Sequence, residues 1–174
     1  MSLLEGTVVQ RDPEALRVYL SAPAPTNRFS TGLVAEIDGQ VVGVVAGIGL
    51  RIELPGLSVS SEEIAKRVGL LDVVAVHPDH RREGLGTLLC HSLLDRFRKT
   101  GHRLMVAQLA AGRHELIPVY ARWGWTVGLP GAGVGVELGT DPVAIAENPA
   151  CRTAWTPLVS GVRVASGVVT GAFA

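Results

Sequence analysis

The chain has 174 residues, the size of one ordinary domain. Hydrophobic residues make up 47% of it and charged residues 18%, which excludes a disordered chain and provides for a core. Sixteen basic residues balance sixteen acidic ones, so the basic excess of a dedicated nucleic-acid binder is missing.

The apolar run 41–50 is too short to span a bilayer as a helix. The opening MSLLEGTVVQRD lacks the basic and apolar regions of a secretory signal. Cys90 and Cys151 are too few for a disulfide framework and too far apart for a CxxC site. The expectation is a single cytoplasmic domain over 1–174, without a membrane or nucleic-acid partner.

Asp12-Pro13-Glu14 opens a short helix to about residue 20, with Asp12 as N-cap and Pro13 at its first position. A loop over 21–30 follows. Two Val/Ile/Leu-rich runs, 33–37 and 40–53, flank Asp38-Gly39, which predicts an antiparallel hairpin. Pro55-Gly56 ends the second strand. Ser60-x-x-Glu63 is a capping box, Gly69 stands where a C-terminal cap glycine belongs, and a surface helix over 61–68 is expected between them. The run 70–76 is apolar except for Asp72, which predicts a central strand. Leu85, Leu88, Leu89, Ser92, Leu93 and Phe97 form one stripe of a helix over 84–99, closed by Thr100-Gly101. A strand over 102–109, a helix over 115–123 and strands near 126–129, 134–138 and 152–159 complete the order. The Val/Gly-rich tail 159–174 is expected to complete the sheet or to cross to a second subunit.

The stretch from Asp72 to Thr87 carries the chemistry. A buried strand enters a loop with Gly84 and Gly86, and a helix follows. The first N–H groups of a helix lack backbone partners and, with the helix dipole, attract anions. Two glycines let a phosphate approach that backbone, and Thr87 offers a hydroxyl. Arg81 and Arg82 add charge, and 77–103 holds six Arg or Lys against three Asp or Glu. A phosphate-bearing ligand is the inference. No Lys stands where a Walker A loop needs one, and Leu89 replaces the third small residue of a dinucleotide fingerprint.

Arg81-Arg82-Glu83-Gly84-Leu85-Gly86 resembles the Gln/Arg-x-x-Gly-x-Gly/Ala motif of the GNAT superfamily of N-acetyltransferases. Tyr120-Ala121-Arg122-Trp123-Gly124-Trp125 resembles its Tyr-x-x-x-Gly-aromatic motif, and the likeness extends over about 33–126. The resemblance implies an α/β fold, a mixed and mostly antiparallel twisted sheet of six or seven strands flanked by helices and splayed near Val76. It implies acetyl-CoA as cosubstrate and an amine acceptor, with direct acetyl transfer in a ternary complex. Val74, Ala75 and Val76 would pair with the pantetheine arm, and a backbone N–H near Val76 would stabilise the oxyanion. Backbone groups of Arg82, Glu83, Gly84, Leu85, Gly86 and Thr87, with the charge of Arg81, would hold the pyrophosphate. Tyr120 would protonate the departing thiolate. Asp72 is the candidate base, because it shares sequence parity with Val74 and Val76, and Glu36 is the reserve. A homodimer is favoured on the resemblance alone.

Glu36, Glu53, Asp72 and Glu137 could line an amine pocket. The segment 55–69 is an insertion where the family has a tight turn, and Gly112-Arg113-His114 replaces the family's Asn before the tyrosine helix. Cys90 is expected as a core thiol, and Trp123 and Trp125 as packing residues. His77, Asp79 and His80 are assigned to the loop and not to a metal. A non-catalytic acyl-CoA-binding module is the alternative reading.

Overall fold

The computed structural model describes residues 29–52, 59–138, 141–145, 148–165 and 168–171, and for 137–138, 141–145, 163–165 and 168–171 the backbone alone. The helix expected over 12–20 and the strand end at Pro55-Gly56 lie outside the described residues. The hairpin forms as expected: β1 (Thr31–Ile37) and β2 (Gln40–Gly49) pair antiparallel, with Ile37 opposite Gln40. The two residues between them take positive φ, +49° at Asp38 and +76° at Gly39, as a two-residue turn between right-twisted strands requires.

α1 (Ser61–Arg67) begins at Ser60, whose hydroxyl accepts from the Glu63 backbone N–H. Only this half of the capping box forms, because the Glu63 carboxylate accepts instead from Lys66 Nζ at 2.6 Å. β3 (Val68–Val76) follows without a break. Gly69 is therefore not a helix cap. It lies in β3 opposite Gly49 and beside Met105, and a Cβ there would stand 2.7 Å from the Phe97 ring. The glycine serves close packing of strand on helix. Nor is α1 a loose surface insertion, since Ile64 and Ala65 are fully buried.

The chain continues through α2 (Leu85–Lys99), β4 (Leu104–Ala110), α3 (Ile117–Arg122), β5 (Thr126–Pro130), β6 (Val134–Leu138), β7 (Asp141–Ile145), β8 (Cys151–Pro157), β9 (Val162–Ala165) and β10 (Val168–Gly171). The main sheet has six strands in the order β1-β2-β3-β4-β8-β5. Its β3–β4 pair is parallel and its other pairs are antiparallel, the mixed architecture expected. The tail strands β9 and β10 do not extend that sheet. They join β6 and β7 in a separate four-stranded sheet, ordered β7-β6-β10-β9.

Two apolar clusters cover the two faces of the main sheet. On one face Leu89, Leu93 and Phe97 of α2 and Tyr120 of α3 pack on Leu71, Val74, Met105 and Ala107. On the other, Ile64 of α1, Val134 and Val136 of β6 and Val162 of β9 pack on Val68, Leu104, Val106 and Trp155. Full burial of one such Leu or Phe contributes about 1.5–3 kcal/mol. The buried stripe of α2 runs through Leu89, Cys90, Leu93, Leu94 and Phe97, whereas Leu88, expected within it, is 60% exposed.

Candidate active site

β3 and β4 pair from Val68 opposite Leu104 to Leu71 opposite Ala107 and then part. The cause is visible in the pairing of β3 with β2. Val73 lies opposite Ala46 and Leu71 opposite Gly47, so Asp72 is an extra residue, a β-bulge. Bulges bend a strand and increase its twist, which turns β3 away from β4. The bulge also shifts the alternation. Leu71 packs toward α2 before it, and Val74 and Val76 pack toward α2 after it. Parity with Val74 and Val76 therefore does not set the face that Asp72 takes. Asp72 is half-buried where the strands part.

Past the bulge, β3 has β2 on one side and the opening on the other. The His77 N–H donates to the Val42 carbonyl at 2.8 Å, and Val76 stands opposite Gly43. Backbone groups alternate in direction along an antiparallel strand, so Ala75 turns its N–H and C=O to β2 while Val74 and Val76 turn theirs to the opening. The Val76 carbonyl accepts there from Arg81 Nε at 3.2 Å.

The strand leads through a short 3-10 turn, Pro78–His80, into the loop before α2. Arg82 takes φ +68° and Gly84 φ +85°. A non-glycine residue in this region costs roughly 1–2 kcal/mol, a strain that turns successive N–H groups into one concavity. The first helical bond of α2 runs from the Leu88 N–H to the Gly84 carbonyl at 3.0 Å. The N–H groups of Leu85, Gly86 and Thr87 are thus free of helical acceptors. A Cβ on Gly84 would meet nothing within 4 Å, so the space before the helix is open.

A cavity of about 300 Å³ joins these parts. Val74 and Val76 form one wall, Arg81, Arg82, Gly84, Leu85, Gly86 and Thr87 the floor, and Leu116, Val119, Arg122 and Trp123 the opposite wall. Ala75 and Glu83 do not line it. Among the described residues three arginines and no carboxylate line the space, which suits an anion. Arg122 and the apolar pair Leu116 and Val119 were not singled out from the sequence. The signal was present, since 116, 119 and 123 recur at the spacing of one helix face.

Tyr120 lies behind this wall. It is fully buried, with its ring 5.2 Å from that of Trp123 and 5.4 Å from that of Trp125. Among the described residues its hydroxyl has no hydrogen-bond partner. Burial, reinforced by the nearby Cys90 thiol, pushes its pKa well above the ordinary 10. Cys90 is a core thiol as expected, with burial pushing it up to about 12 and the Trp125 side chain offsetting that only in part. Glu36 is exposed on β1, two strands from Val76. Glu53 and the side chain of Glu137 lie outside the described residues. Among the described residues no cluster of three or more His, Cys, Asp or Glu could hold a metal ion, and no helix is long and apolar enough to cross a membrane.

A family model described as the acetyltransferase (GNAT) family matches residues 6–125, more than half of the chain. No curated protein matches it. Among solved structures, the yncA protein of Salmonella typhimurium, determined with acetyl-CoA, shares 20% identity at a TM-score of 0.55, with 95% of this chain and 87% of that one covered. A ribosomal-protein-alanine N-acetyltransferase of Brucella melitensis shares 20% identity at a TM-score of 0.53, covering 86% and 80%. Nourseothricin acetyltransferase shares 21% identity at a TM-score of 0.51, covering 76% and 67%. At such identities the likeness establishes the fold.

Proposed function

Since the chain belongs to the GNAT family of acetyltransferases, we propose that it moves an acetyl group from acetyl-CoA to an amine, by direct attack in a ternary complex. The observation that carries this reading is continuity. A strand edge at Val74 and Val76, past the end of the β3–β4 pairing, runs into a helix start lined by arginines. The edge suits the amides of a pantetheine arm, and the helix start suits a diphosphate. The Val76 N–H, turned to the opening, is the proposed oxyanion donor.

Direct transfer agrees with the state of Cys90, whose buried thiol stays protonated and offers no thiolate nucleophile. Asp72, at the point where the strands part, is the proposed base for the acceptor ammonium. Tyr120 is the proposed acid for the thiolate, and its raised pKa keeps it protonated at any working pH. The acceptor is proposed only as an amine. Relatives of the same fold carry names as different as a ribosomal-protein-alanine and a nourseothricin acetyltransferase.

One observation favours a second reading, a non-catalytic acyl-CoA-binding module. Tyr120 stands behind the cavity wall instead of lining it. A phenol whose pKa burial raises also gives its proton less readily to a thiolate of ordinary basicity. Calorimetry with CoA and a thiol-release assay with acetyl-CoA distinguish the readings. The assay panel is small amines, amino acids, aminoglycosides and peptides. CoA binding with release on one amine class is the expected result. Binding without release on any amine supports the module, and no binding removes both readings.

A further inference from the structure

We propose that Trp123 is a positioning residue that fixes the Thr87 hydroxyl as a donor to the diphosphate of CoA. The inference rests on the reading of the cleft as a CoA site and concerns two side chains within it.

The indole Nε1 of Trp123 donates to Thr87 Oγ1 at 3.0 Å, across 36 positions of sequence. An indole N–H can only donate, so the hydroxyl must accept there and retains its own proton. Thr87 is the third residue of α2, so the carbonyl four residues back, that of Glu83, lies outside the helix and is not the default acceptor for that proton. Thr87 lines the cavity. With one lone pair held by the indole, the O–H is free to turn toward a ligand in the space that Arg81, Arg82 and the start of α2 line. A diphosphate oxygen there would receive it as a charge-assisted bond.

Trp123 is itself held. Its ring packs on Tyr120, only 8% of the residue is exposed, and its backbone N–H donates to the Val119 and Tyr120 carbonyls at 3.2 and 3.0 Å. The ring also lies against the start of α2, since a Cβ on Gly86 would stand 3.6 Å from its Cζ2.

The test is CoA affinity by calorimetry, with pantetheine, which lacks the diphosphate, as a second probe. Trp123→Phe keeps a ring but removes the donor, and Thr87→Val removes the hydroxyl. CoA is expected to bind about fivefold more weakly to the first and about tenfold more weakly to the second. The double variant is expected to be no weaker than Thr87→Val alone, because both changes remove one bond. Thr87→Ser is expected to restore wild-type affinity, and pantetheine to bind all variants alike. In turnover, the KM for acetyl-CoA rises more than kcat falls. Additive losses in the double variant, an equal loss toward pantetheine, or wild-type affinity in Thr87→Val would each overturn the proposal. Should Trp123→Phe fold poorly, the comparison of Thr87→Val with Thr87→Ser decides it. Wild-type protein that ignores CoA removes the reading of the cleft as well, a result separate from a variant that binds normally.

Discussion

His102 Nε2 lies 3.0 Å from the Ala65 carbonyl oxygen, which ties the approach to β4 to the middle of α1. A carbonyl only accepts, so Nε2 carries the ring proton of the neutral imidazole, and Nδ1 faces Thr100 Oγ1 at 3.0 Å.

The ring is 1% exposed, and its burial holds its pKa below the ordinary 6.5, offset in part by the Ala65 and Phe97 carbonyls. Above pH 6.5 the ring is neutral in both the folded and unfolded chain and adds no pH dependence. Below it the unfolded chain takes up a proton that the folded chain refuses, so stability falls as pH drops from 6.5 toward the folded value. Urea unfolding is expected to give a lower midpoint at about pH 5.5 than at about pH 7.5. His102→Ala is expected to lose roughly 2–4 kcal/mol and to show a flatter pH dependence. An equal pH dependence in the two proteins counts against the assignment.

Gly69→Ala forces a Cβ to within 2.7 Å of the Phe97 ring and against the Met105 sulfur. Phe97 is itself packed between helix and sheet and has little room to yield. The expected cost is about 1–3 kcal/mol, read from the denaturant midpoint. A neutral result would mean that α2 does not sit as closely on β3 as described.

Gly84→Ala meets no neighbour, since nothing lies within 4 Å of its Cβ, yet the backbone there has φ +85°. The expected loss is about 1 kcal/mol, from strain alone. CoA affinity is expected to fall further than stability does, because the methyl group would enter the space before the helix. Calorimetry on the folded variant separates the two effects.

Tyr120→Phe removes a buried hydroxyl that has no partner among the described residues. Thermal unfolding is expected to show a gain of about 1 kcal/mol, because the desolvated group no longer goes unpaired. If the hydroxyl also protonates the thiolate, turnover falls by about tenfold or more in the same variant. A more stable protein with undiminished turnover assigns Tyr120 to the core alone.

Arg122→Gln takes one of three arginines from the cavity wall. CoA binding is expected to weaken by a few-fold and to depend less steeply on salt, since the cleft attracts its ligand partly through charge that electrolyte screens. Titrations at two ionic strengths read both quantities.

The local signals were legible in the sequence. Asp38-Gly39 signalled a turn by the positive φ values it readily adopts, and the glycines on either side of Leu85 marked a helix start open to an anion. What remained hidden depends on partners distant in the chain. Gly69 resembles a helix cap until Phe97 and Met105 are seen against it. Leu88 fits the helical stripe by spacing, but α2 is rolled so that Cys90 and Leu94 meet the sheet in its place. The bulge at Asp72 leaves no mark in a run of apolar residues, because it arises from the count of residues on β2 opposite β3. For the same reason the wall formed by Leu116, Val119 and Arg122 could not be placed against Val74 before the fold was known.

The supernumerary residue in β3 separates two questions that mutagenesis usually confounds. Exchanging the side chain at Asp72 alters chemistry and leaves the fork between the strands as it stands. Excising the residue would keep Leu71, Val74 and Val76 on their present side while letting β3 run straight beside β4. The mouth of the cleft is thus set by arithmetic along the backbone, and a protein of this design could change every side chain at that spot yet could not spare the residue itself.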